Sequence, residues 1–369
     1  MPQLEIAAKR DIRFAVLGAG HGGLAMAGHL GLMGFPVALF NRSEPRIWGV
    51  KARGGIEIEG EIDGFGRLDI VTTDIVKALS GAQIIMVVVP ASGHREIAEL
   101  CAPHLKDGQI VVLNPGRTCG ALEFRQVIRS QGCTADVLIA EAQTLIYASR
   151  AIGPGHARIF AIKNSIPLAA IHAYRTPEVL NVVRAAFPQF VPGDNVFKTS
   201  FDNVGSVFHP AISILNTGWI EDQADFQFYV QGCSRSVSTI LEKLDAERVA
   251  VAAALGIRAL TAREWLYMAY AAVGRSLYDA MQDNPGYRGI KAPTTMDMRY
   301  ISEDVPYSLV PMASLGELLN VPTPTMKALI HLASAMHGVD YMLEGRNIDR
   351  LGIAGMTTKE LRLLAIGEK

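Results

Sequence analysis

The chain is short of charge, and what charge it has is balanced. Asp, Glu, Lys and Arg make up 19% of its 369 residues, and 35 basic residues face 36 acidic ones for a formal charge of −1. Such a chain lacks the basic excess of a dedicated nucleic-acid or anionic-membrane binder. With 49% hydrophobic residues it is also far from the composition of a disordered protein. Cysteine is scarce and unpatterned: Cys101, Cys119, Cys133 and Cys233 form no CxxC pair, which argues against a disulfide framework or a zinc site and for a reduced cytoplasm. Long apolar runs are missing. The longest, Ala82–Ala91, is far below the ~20 residues that span a bilayer, and the opening MPQLEIAAKRDIR has no signal-peptide core. No His, Cys, Asp or Glu cluster has ligand spacing, so no metal is expected.

Glycine, by contrast, is plentiful where it carries information. Arg13–Leu17 reads as an apolar strand and runs directly into Gly18-Ala-Gly20-His-Gly-Gly23. A helix-compatible stretch, Leu24–Met33, and a second apolar run, Val37–Phe40, follow. Strand, GxGxxG, helix and strand within about 30 residues is a dinucleotide-binding pattern. Gly18 permits the tight turn, Gly20 admits a pyrophosphate to the backbone, and Gly23 lets the helix lie close to the strand. The positive end of the helix then faces the phosphates. At the end of the second strand, where a carboxylate selects NAD, stand Asn41 and Arg42, with Arg46 nearby. An amide and a guanidinium suit the 2′-phosphate of NADP, and NADP(H) is favoured with NAD(H) still open. Both arginines also read as ordinary solvated side chains.

The β-branched run Ile84–Val89 ends at Pro90, and Ile110–Leu113 ends at Asn114-Pro115-Gly116. Both read as strands buried on two faces of a parallel sheet, and ligands of such sheets bind beyond the carboxyl ends of the strands. Pro90 and Asn114 are therefore candidate coenzyme contacts, or simply strand-ending turns. Gly54–Gly60 and Leu68–Thr72 read as a hairpin or short excursion, and Val137–Ala140 with Ile159–Ile162 complete a sheet of seven or eight strands. Beyond residue 195 the texture changes to amphipathic segments: Val204–Trp219, Phe226–Leu255, Thr261–Met281, Met312–Leu319 and Thr325–His337. The expected fold is α/β, an N-terminal Rossmann-type domain over 1–195 followed by an all-helical domain over 196–369. The apolar helical half leaves room for a homodimer interface, although nothing in the sequence marks one.

Several segments together resemble the octopine/nopaline (opine) dehydrogenase family, and within it the N-(1-carboxyethyl)-amino-acid dehydrogenases. They are Ala15–Gly23, Val88-Val-Pro90, Leu113–Gly116, Gly120–Arg125, Asn203-Val204 with His209-Pro210, Lys243–Arg248, Asn284–Gly289, Arg299-Tyr300, Glu303–Val305, Leu309–Pro311, Val321–Pro324 and Glu344–Arg346. Their order along nearly the whole chain is more specific than the nucleotide fingerprint. The resemblance implies a reversible NAD(P)H-dependent reaction that joins a 2-oxo acid, such as pyruvate, to the amino group of an amino acid and reduces the C=N bond. The product would be a secondary amino dicarboxylate.

That chemistry needs a reversible proton donor near neutral pH, for which histidine (ordinary pKa ~6.5) is suited, and a carboxylate to hold the ring. It also needs an arginine for substrate carboxylates. Read from the residues alone, His209 beside a helix-opening proline is more often structural. Likewise Glu303 and Asp304 read as a solvated acidic helix start, and Arg299 as an ion-pair partner. The resemblance implies instead that His209 is the acid/base, Asp304 its orienting partner and Arg299 the carboxylate clamp. Glu141, after a buried strand, and Asn203 are expected at the amino substrate. Two rivals are a single-substrate 2-oxo acid or glycerol-phosphate type reductase, recruiting a lysine such as Lys163 or Lys198, and a non-catalytic NADP(H) sensor.

Overall fold

The computed structural model describes residues 11–367; the expectation drawn from the opening residues 1–10 lies outside them. Two compact units emerge from the packing: 11–199 together with 364–367, and 200–363.

The first unit is built on β1 (Phe14–Leu17), β2 (Val37–Phe40), β3 (Gly55–Gly60), β4 (Gly64–Arg67), β5 (Ile70–Thr72), β6 (Ile84–Val87), β7 (Ile110–Leu113), β8 (Leu138–Ala142), β9 (Tyr147–Gly153), β10 (His156–Ile162), β11 (Ile166–Ile171) and β12 (Phe190–Pro192). Eight strands form the main sheet in the order β12-β11-β8-β7-β6-β1-β2-β5. All neighbours run parallel except β11 against β8. The short runs FAVL, VALF, IIMV and IVVL are buried at every position, as strands covered on both faces must be.

Four strands form a second sheet, β4-β3-β10-β9. This differs from the sequence reading, which put Ile159–Ile162 in the main sheet. Ile159 lies on β10, paired parallel to β3 and antiparallel to β9, and β11 and β12 fill the places in the main sheet. After buried Tyr147, β9 alternates between exposed and half-buried positions, which marks a one-sided sheet. The first helix, α1 (His21–Leu32), packs against this small sheet as well as the strands that flank it.

The second unit is helical. Among its helices are Gly205–Leu215, Arg235–Ala254, Ala262–Tyr270, Leu277–Asp283, Val310–Leu318 and Pro324–His337. Two expected long helices are shorter than their apolar patterns. Residues 222–234 are irregular, and the helix starts only at Arg235, where Ser234 accepts a hydrogen bond from the Val237 N–H (3.3 Å). Ala271, in the left-handed conformation (φ 54°), ends Ala262–Tyr270, and Ser276 caps the helix that follows. No helix among the described residues is long and apolar enough to cross a membrane.

Candidate active site

The adjacent parallel strands β2, β1, β6 and β7 bring their carboxyl ends to one edge. Backbone hydrogen bonds keep them in step there: Gly18 N–H to Phe40 O, Val88 N–H to Leu17 O and Asn114 N–H to Val87 O, each 2.8 Å. Gly18, Asn41, Pro90 and Asn114 therefore stand along one edge of the sheet. The glycine loop is sterically committed. Gly18 has φ 117°, and a Cβ on Gly23 would lie 1.8 Å from the Gly18 carbonyl oxygen. Nothing lies within 4 Å of where a Cβ of Gly20 would point, so the loop is open in front of that residue. Gly20 precedes α1, whose first turn carries no acidic residue and no side-chain cap.

Asn41 is part of this loop. Its Oδ1 accepts from the Ala19 N–H (3.2 Å) and its Nδ2 donates to Ser43 O (3.0 Å). Arg42 is exposed and ion-paired with Glu96. Asn114 is buried; its Nδ2 donates to Val112 O (2.9 Å), while its Oδ1 is buried without a hydrogen-bond partner. An open glycine cradle at a helix start and an orphaned amide oxygen two strands away fit a dinucleotide whose carboxamide needs an acceptor.

In the helical unit the expected pair is in contact. His209 Nδ1 lies 2.8 Å from Asp304 Oδ2, and the Asp304 side chain is 2% exposed. The ring is stacked on Tyr300 (4.3 Å between centroids, 16° between planes). Asn203 donates from Nδ2 to Ser308 Oγ (3.0 Å). Arg299 hands its Nε to Glu303 (2.6 Å), and its side chain stays 64% exposed. Both the ion-pair reading of Arg299 and an outward-facing guanidinium edge are thus present at once.

Glu141 belongs to the first unit. It is fully buried on β8, its Oε2 accepting from the Ala121 N–H (2.9 Å) and its Oε1 from the Thr199 hydroxyl (2.6 Å). That seat makes it a clamp within the first unit, fastening the start of the helix Gly120–Ser130 to Thr199. Lys163, a lysine considered for a rival reading, follows β10 and donates to Thr144 Oγ1 (2.7 Å). Burial of its ammonium end and then the nearby Arg117 push it down to about 8.

Sequence reasoning missed Tyr229 altogether. Its hydroxyl is 2.9 Å from His209 Nε2, and it stands in the irregular 222–234 stretch, of which residues from Phe226 onward read as helix from their apolar pattern. The signal was Ser234, a helix-capping residue that moves the helix start beyond it. Ser308, Thr199 and the stacking role of Tyr300 carried no sequence signal, since each depends on neighbours far along the chain.

Residues 192–337 match the family described as NAD/NADP octopine/nopaline dehydrogenase, alpha-helical domain. Residues 13–116 match the N-terminus of NAD-dependent glycerol-3-phosphate dehydrogenase, a likeness confined to the nucleotide-binding part. An opine dehydrogenase of Arthrobacter sp. (strain 1C) is 38% identical over 95% of this chain and 97% of its own length. The protein ocs of Agrobacterium tumefaciens (strain Ach5) is 27% identical over 93% and 96%. Among solved structures, octopine dehydrogenase in complex with NADH and agmatine matches with a TM-score of 0.81 at 21% identity, covering 97% of this chain and 98% of that one. Yersinopine dehydrogenase with NADP+ bound matches with a TM-score of 0.78 at 16% identity, covering 95% and 99%. The Rossmann-type sheet, the helical unit with its paired His209 and Asp304, and a relative at 38% identity over nearly the whole length lead to one conclusion: the chain belongs to the opine dehydrogenase family of NAD(P)-dependent oxidoreductases.

Proposed function

We propose that this protein condenses a 2-oxo acid such as pyruvate with the amino group of an amino acid and reduces the product to a secondary amino dicarboxylate, reversibly and with NADP(H) favoured. The observation that carries the reading is the buried Asp304 carboxylate on His209 Nδ1 at 2.8 Å. A nicotinamide coenzyme supplies the hydride. The amine adds to the oxo carbon, the resulting hydroxyl leaves as water, and the C=N bond is what remains to be reduced. His209 provides the proton that lets the hydroxyl leave, and in the reverse direction takes it back. Asp304, as an ionised carboxylate, only accepts, so Nδ1 donates to it; that contact fixes the ring and faces the positive charge formed when the ring is protonated.

Arg299 binds a substrate carboxylate with the edge of its guanidinium turned away from Glu303, and Asn203, tied to Ser308, lies with the His209 ring within 4 Å of where a Cβ of Gly205 would point. Most of the rate gain would come from alignment and charge stabilisation. Glu141 is left out of the substrate set because both its oxygens serve Ala121 and Thr199. Glu141→Gln is therefore expected to lower stability by about 1–3 kcal/mol while moving the KM of the amine by less than about threefold. A tenfold rise in that KM with unchanged melting would return Glu141 to the substrate.

Coenzyme preference rests on Arg42. Its pair with Glu96 is exposed, and such pairs contribute about 0–1 kcal/mol, so a dianionic 2′-phosphate can draw the guanidinium away from it. Asn41 offers no carboxylate to oppose that charge. Arg42→Ala is expected to weaken NADPH binding about tenfold and NADH binding hardly at all; equal losses for both would take Arg42 off the 2′-phosphate, and no loss for either would place it outside the coenzyme site. The deciding assay is loss of NADPH absorbance with pyruvate, with and without a mixture of L-amino acids. Amine-dependent oxidation establishes reductive condensation. Oxidation by pyruvate alone makes the protein a simple oxo-acid reductase.

A further inference from the structure

Both ring nitrogens of His209 are occupied. Nδ1 is held by Asp304 at 2.8 Å and Nε2 by the Tyr229 hydroxyl at 2.9 Å. With Nδ1 donating to the carboxylate, Nε2 of the neutral ring has one in-plane lone pair, and Tyr229 is on it. A substrate can exchange a proton with His209 only by displacing the phenol or by working through it.

The packing opposes displacement. Tyr229 is 8% exposed. It stacks on Tyr287 at 4.3 Å and 18°, and Phe228 meets it edge-on at 4.9 Å. One face of the His209 ring is stacked on Tyr300. Moving the phenol aside forfeits a hydrogen bond and an aromatic stack and leaves an apolar gap. Working through it demands little: a phenol oxygen has one proton and two lone pairs, so it can serve His209 and a further group together.

We infer that Tyr229 carries the proton between His209 Nε2 and the substrate, completing a chain Asp304–His209–Tyr229. This rests on the proposed role of His209 and extends it. In the reductive direction the imidazolium gives its Nε2 proton to the phenol oxygen as the phenol O–H passes its own proton to the departing hydroxyl; the C–O bond breaks, water leaves and the nitrogen lone pair forms the C=N bond. Tyr229 ends as it began, neutral, and His209 becomes the neutral base. Burial first, then Tyr300, Tyr287 and Asp304, hold the Tyr229 phenol far above its ordinary value, so no free tyrosinate accumulates and the two transfers are coupled.

Tyr229→Phe keeps the ring and its stacks and removes only the hydroxyl. With NADPH, pyruvate and the L-amino-acid mixture in single-turnover mode, its rate should fall about 30–300-fold, with the KM for pyruvate and the Kd for NADPH within about threefold of the parent. In mixtures of light and heavy water the parent rate should follow a curve, reporting two moving protons, and the variant a straight line. A variant rate within about threefold of the parent, a lowered KM, or a curve that persists in the variant overturns the relay. His209→Asn in the same assay separates the two ideas. An inactive His209→Asn beside an active Tyr229→Phe removes the relay and keeps His209; two active variants remove both.

Discussion

His209→Ala is expected to lower kcat by about 10²–10⁴-fold while NADPH still binds with its normal Kd. The two halves of the expectation have separate structural sources. The glycine loop, Asn41 and Asn114 belong to the unit 11–199, whereas His209 belongs to 200–363. Loss of the imidazole would therefore remove the proposed proton donor while every residue of the coenzyme cradle is kept. The alanine variant also leaves Asp304 short of a partner and opens a gap between Tyr300 and Tyr229. His209→Asn is the cleaner variant, since its amide can still donate to Asp304, and its kcat should fall as far. Asp304→Asn should cost less than loss of the ring but should still lower kcat, because the amide can pair with the wrong nitrogen protonated. Steady-state rates and NADPH titration on the three proteins decide the matter. A His209→Asn enzyme with kcat within about threefold of the parent would take His209 out of the reaction.

The nucleotide-binding edge was legible because its signals are local. FAVL, VALF, IIMV and IVVL are continuous apolar runs of the kind a doubly covered parallel sheet buries, and the glycines sit where a Cβ at position 23 would strike a carbonyl. The small sheet was not legible: β9, with Ser149 and Arg150 among its residues, looks polar, and Ile159–Ile162 on β10 looks like one more core strand. Only the burial pattern separates the two. In the helical half, apolar spacing found the helices but not their starts, so the irregular residues 226–234 were absorbed into a helix and Tyr229 with them. The contact between His209 and Asp304 spans 95 positions and has no local signature. It came from resemblance, as did attention to Lys243–Arg248, a stretch whose sequence gives no hint of whether it serves chemistry or structure.

The structure answers for that stretch, and the answer is testable. Arg248→Met is expected to destabilise the helical unit by about 3–5 kcal/mol, the cost typical of breaking a buried ion pair from one side. Arg248 is fully buried on the helix Arg235–Ala254, with Nε and Nη2 on Asp245 Oδ1 (3.0 and 2.6 Å). The rest of the fork donates to the carbonyls of Phe201 and Leu260. Asp245 in turn accepts the Ala262 N–H through Oδ2 (2.7 Å). One guanidinium thus ties the central helix to the segment that opens the unit and to the loop before Ala262–Tyr270. A methionine fills much of the volume but leaves a buried carboxylate and two carbonyls short of donors, which is why the cost exceeds that of a lost contact. At about 2–4 °C per kcal/mol for a unit of this size, melting should fall by roughly 6–20 °C, and NADPH binding to the first unit should survive at temperatures below the new transition. Asp245→Leu combined with Arg248→Met should lose less than the sum of the two single variants, since neither charge is then stranded. Additive losses, or a single-variant shift of only about 2 °C, would mean that the pair is hydrated and that these backbone ties are held by other residues.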